Sequence, residues 1–146
     1  MQVVIHQVPR EVSLIGASGN HDPSRAYGKE IIALLDRVWP ALKSWAIPNK
    51  GINWVVYGKG GEMFAGVEAG GADERALGLE RRTVRLGRYA ECVHIGPYAK
   101  LGETGAAMQK AIAAMGHTTV PPMIEVYGHW TADESKLQTT ILQAIA

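Results

Sequence analysis

The stretch PPMIEVYGHW, Pro121 to Trp130, carries the apolar run that ends on Val126-Tyr127-Gly128. Seventy positions earlier INWVVYG, Ile52 to Gly58, ends on Val56-Tyr57-Gly58. A second match links Val8-Pro9-Arg10-Glu11-Val12 with Leu86-Gly87-Arg88-Tyr89-Ala90, an offset of 78 as from Arg10 to Arg88. The offsets differ by 8. That is about two helical turns at 3.6 residues each, and it falls in a helix and its flanks. Internal repetition of this kind points to a duplicated unit.

The elements between the matches have the same order in both halves. In the first, Gln2–Val8 and Val12–Ala17 are β-branched runs broken at Pro9-Arg10, which predicts two strands. From Arg25 to about Ala46, Ile31, Leu34, Leu35, Val38, Trp39, Leu42 and Trp45 recur at helical spacing. Asp22 or Ser24 is the expected cap, and Pro40 predicts a kink or break after Trp39. Ile52–Tyr57 and Met63–Ala69 read as a hairpin turning at Gly58–Gly61. In the second half, Arg81–Leu86 and Tyr89–Ile95 are strands. Gly96-Pro97 opens a helix with Leu101, Gly105, Met108, Ile112 and Met115 on its buried face and Gly116 at its end. Met123–Gly128 and Leu137–Ile145 are the last strands. The expected fold class is therefore α+β. Two strand-helix-strand-strand modules, 1–69 and 80–146, flank a linker at about 70–79 within a single domain. Neither sheet is wide enough alone, so the modules are expected to join into one antiparallel sheet, with two helices on one face and a groove between them.

Composition narrows the function. The chain has 146 residues, 47% of them hydrophobic, and a formal net charge of +1. Such a balance gives no strong field for nucleic acid. No apolar run reaches the roughly 20 residues a membrane span needs, and no signal peptide is evident, so a cytoplasmic protein is expected. One cysteine, Cys92, leaves no disulfide framework, and its alignment on Leu14 predicts a buried thiol. The five histidines show no metal-ligand spacing, so no metal is expected. GKGGE lacks the P-loop pattern and no cofactor motif appears. The run Glu80–Arg88 reads as a charged edge strand. Four Trp and five Tyr against one Phe favour aromatic surfaces with polar tips.

One strand stands out. Alternation puts Met123, Glu125 and Tyr127 on one face and Ile124, Val126 and Gly128 on the other. The corresponding residues of the first half are Asn53, Val55 and Tyr57, so only one half carries the acid. On a groove floor, Glu125 would pair with a flat lipophilic cation, or be kept protonated by desolvation and act as an acid. On the surface, it would be a solvated strand residue or the partner of an arginine. Tyr98, at the helix start, leans over a groove or packs in the core, and the same choice holds for Trp39. His94 reads as a strand histidine before it reads as a base.

Tyr89-Ala90, His94-Ile95-Gly96-Pro97-Tyr98, Leu101-Gly102-Glu103-Thr104 and Ile124-Glu125-Val126-Tyr127 resemble the second half of the GyrI-like small-molecule-binding domain. This is also the effector-binding domain of bacterial transcription activators. Leu35 to Trp39 and Phe64-Ala65-Gly66-Val67-Glu68 fit its first half, so the resemblance spans nearly the whole chain. It implies a duplicated fold with a groove between modules, and recognition of lipophilic, often cationic compounds by an acid and aromatic residues. Glu125, Tyr127, Tyr98 and Trp39 fall at matching positions. The family often carries a DNA-binding helix-turn-helix. Here the chain begins almost at its first strand, so a stand-alone form without direct nucleic-acid contact is expected. That form includes drug-sequestering proteins, hydrolases of cyclopropane-bearing compounds, with Glu125 as the catalytic acid or base, and a gyrase-inhibitor type. Near-zero net charge argues against the last.

Overall fold

A computed structural model describes residues 1–146. The fold is α+β, as expected, and it divides into two compact units. A central unit spans Glu11–Arg85. A composite unit combines Met1–Arg10 with Leu86–Ala146.

The central unit contains β2 (Arg10–Asn20), α1 (Tyr27–Ser44), β3 (Asn53–Tyr57), β4 (Glu62–Val67), α2 (Glu74–Leu77) and β5 (Glu80–Leu86). Its strands lie in the order β3-β4-β2-β5. β4 is antiparallel to both β2 and β3. Ile31, Leu34, Val38 and Leu42 form the buried stripe of α1. That periodicity was legible in the sequence. The helix continues through Pro40 instead of breaking after Trp39. Proline removes one intrahelical hydrogen bond. Here the buried side chains of Val38 and Leu42 hold both flanks against the strands. Neither expected cap serves the helix: Ala26 occupies that position without a side-chain bond. Asp22 instead accepts from Ser24 N–H and Oγ at 2.9 and 2.8 Å, closing its own turn.

Within the expected linker, α2 forms a single turn, because Asp73 accepts from the N–H groups of Arg75 and Ala76. β5 lies at the outer end of its unit's order. Its charges are paired as an edge strand's should be: Arg81 with Glu74 at 3.3 Å, Arg85 with Glu11 at 2.6 Å, and Arg82 with Glu62.

The composite unit contains β1 (Val4–His6), β6 (Arg88–Ile95), α3 (Leu101–Ala114), β7 (Thr119–Tyr127) and β8 (Gln138–Ile145). The order is β1-β6-β8-β7, with every pairing antiparallel. β1 is shorter than the run Gln2–Val8 predicted, and its partner is β6, more than eighty residues away. α3 packs Leu101, Met108 and Ile112 against Ala90, Cys92, Ile141 and Ile145. Met115, expected on this face, is exposed, because it falls at the helix C-cap beyond the last packed turn. Gln143 joins helix to strand: it accepts from Gln109 Nε2 at 3.0 Å and donates to the Val120 carbonyl at 2.9 Å. No helix is long and apolar enough to cross a membrane.

Candidate functional site

Register decides where the acid points. Glu125 is directly opposite Ile141, and Ile141 is directly opposite Cys92. Opposite residues share a face of the sheet. Cys92 and Ile141 pack under α3, so Glu125 projects to the helix-covered side. It is 9% exposed. The same logic places Met123 beside Gln143 and Ala90, and Tyr127 beside Thr139 and His94. Met123 and Tyr127 both pack against the α3 core. Cys92 is buried, and desolvation pushes its thiol up.

The phenol of Tyr127 donates to Glu125 Oε1 at 2.8 Å. Tyr98, 40% exposed, meets the Tyr127 ring edge to face, with centroids 5.4 Å apart at 80°. Acid, phenol and second aromatic ring therefore form one continuous group within the composite unit. Next to them, Thr139 is fully buried and its Oγ1 has no hydrogen-bond partner. A carboxylate bonded to a phenol, with ring edges beside it, can accept a cation or orient a water.

Tyr127 is also electrostatically committed to its proton. Burial pushes its phenol far above the ordinary value, and the neighbouring Glu125 charge and hydrogen bond add to this. An unfolded phenol ionises near about pH 10. Above that pH the unfolded chain has lost a proton that the folded chain keeps, so stability is unaffected below about pH 10 and falls as pH rises past it. Tyr127→Phe should flatten this alkaline decline, measured as urea midpoints between about pH 8 and pH 11. An unchanged slope would mean that other groups set it.

The remaining expected residues lie in the central unit. Gly19 faces Leu34 of α1, and register carries that face through Met63 to Tyr57. Tyr57 meets Tyr27 edge to face at 5.6 Å and 77°. Tyr27 in turn stacks on His21 at 3.6 Å. His21 Nδ1 is 2.5 Å from Glu30 Oε1, and Asp22 N–H donates to Glu30 Oε2 at 3.0 Å. That backbone bond, with the His21 contact, holds the Glu30 carboxyl below its usual range. Trp39 donates from Nε1 to Asn53 Oδ1 at 2.8 Å. Sequence reasoning found the tyrosine at each strand end. It missed His21, which lies in the loop after β2, and Tyr27, the first residue of α1, ahead of its apolar stripe. An edge-to-face tyrosine pair thus recurs in both units.

Comparison with solved structures agrees with this architecture. SAV2435 bound to tetraphenylphosphonium matches 100% of this chain and 94% of its own, at a TM-score of 0.65 and 16% identity. The EcmrR C-terminal domain matches 99% and 97%, at 0.65 and 16%. A hydrolase from Listeria innocua matches 99% and 92%, at 0.62 and 13%. At these identities the likeness shows the fold. No family model matches the sequence, and no curated protein matches it.

Proposed function

We propose that the chain is a binding protein of the GyrI-like effector-binding type for lipophilic, aromatic or cationic small molecules. Glu125 takes the ligand's charge, and Tyr127, Tyr98 and Met123 supply its aromatic and polarisable surroundings. In the central unit, Tyr57 and Trp39 are the aromatic residues proposed to meet a ligand. One observation carries this reading: an acid buried on the helix side of the sheet, held by a phenol and edged by a second tyrosine. An aromatic cation would offer a charge to the carboxylate and a flat surface to the tyrosine rings beside it. Fold likeness to a protein bound to tetraphenylphosphonium supports the ligand class.

Calorimetric titration with tetraphenylphosphonium tests it. Saturable binding of one cation per chain is expected. Absence of binding by folded protein would defeat the proposal.

A second reading has support from the same acid–phenol pair and from a fold neighbour named as a hydrolase. Glu125 would take a proton from a water as its oxygen bonds to an electrophilic cyclopropane carbon; a ring C–C bond breaks, its electron pair passes into the compound's conjugated acceptor, which is then protonated, while Tyr127 steadies the carboxylate. Turnover of such a compound, lost in Glu125→Gln, would establish it; stoichiometric capture without turnover would leave the binding role alone.

A further inference from the structure

We infer that His94 is a positioning residue for Tyr98, setting the aromatic edge of the Glu125 site from beneath; the inference rests on the binding reading above. His94 lies on β6 and is 6% exposed. Both ring nitrogens have partners. Nε2 is 3.0 Å from the Pro97 carbonyl oxygen, and Nδ1 is 2.6 Å from Thr104 Oγ1. A carbonyl can only accept, so Nε2 carries the hydrogen. The Thr104 hydroxyl can donate to Nδ1 of a neutral ring or accept from a charged one, so this tie survives either state.

These bonds fix the turn from which Tyr98 departs. Gly96 stands at φ 134°, a conformation side chains resist, and its N–H donates to the Leu137 carbonyl at 2.8 Å. Pro97 is held by His94, and His94 is held by Thr104 of α3. Tyr98 follows immediately and reaches the Tyr127 ring. Register closes the loop from the other side, since His94, Thr139 and Tyr127 lie in one row across β6, β8 and β7. A turn tied at Gly96 and Pro97 sets the point from which the Tyr98 side chain departs, and the Tyr127 ring then meets it edge to face. Preorganisation of this kind raises affinity.

A double-mutant cycle separates positioning from general support. Tetraphenylphosphonium affinity is measured for the wild-type protein, His94→Ala, Tyr98→Ala and the double variant. His94→Ala is expected to weaken binding about fivefold in the wild-type background and to have no further effect once Tyr98 is alanine. His94→Gln, whose amide can still donate to Pro97, should recover most of the loss. If His94→Ala does not fold, Thr104→Val is taken through the same cycle with the same pattern expected. Equal losses with and without Tyr98 would overturn the inference while leaving the binding reading standing. No binding by wild-type protein would instead remove the binding reading, and this inference with it.

Discussion

Gly16→Ala should destabilise the protein by about 3 kcal/mol, a large effect for a single methyl group. Gly16 on β2 is directly opposite Gly66 on β4. A Cβ at Gly16 would lie 2.0 Å from the Ala65 carbonyl oxygen, and one at Gly66 would lie 2.2 Å from that of Ile15. Both obstacles are backbone, so no side chain can rotate away. The strands would have to separate, breaking ladder hydrogen bonds where Leu14, Ile15 and Ala65 are fully buried. In an ordinary strand, alanine is favoured over glycine by roughly 0.5–1 kcal/mol, so the expected sign is opposite to the intrinsic one. Gly19→Ala is the control: its Cβ would meet only Leu34 Cδ2, at 3.6 Å. Urea denaturation should show a large fall in midpoint for Gly16→Ala and little change for Gly19→Ala. Equal midpoints for Gly16→Ala and wild type would mean that the strands are not so closely apposed.

Glu125→Gln should weaken tetraphenylphosphonium binding by about 2 kcal/mol, roughly thirtyfold, if the carboxylate neutralises the bound charge in a desolvated place. The substitution keeps volume and an acceptor oxygen for the Tyr127 phenol, whose bond to Glu125 spans 2.8 Å. Affinity for an uncharged aromatic compound of similar size should therefore stay near the wild-type value. Comparison of the two ligands by calorimetry isolates the charge. Parallel losses for both would point to a packing defect, and no loss for the cation would take Glu125 out of the site.

Much of this was legible in the chain because side-chain alternation is a local property. Val126-Tyr127-Gly128 named a strand, and alternation alone placed Glu125 on the same face as Tyr127. Alternation could not say which face the helix covers. That needed the register Glu125–Ile141–Cys92, which is set by residues far apart in sequence. At Pro40 the helix is unbroken, because proline's local cost competes with packing on either side that the local sequence does not show. His94 showed little because its partners, Pro97 and Thr104, become partners only once the turn and helix fold back over β6. Thr139 gave no signal at all, since its burial depends on flanking strands on both sides.

The brief pairing of β1 with β6 has a consequence for the order of assembly. The central unit is one uninterrupted segment, Glu11–Arg85, and all of it is translated before the last third of the chain. Val4, Ile5 and His6 are translated before that segment, yet their partners Glu91, Ala90 and Tyr89 only after all of it. β1 must therefore wait for a whole unit to be made, and it completes a sheet whose other strands follow that segment.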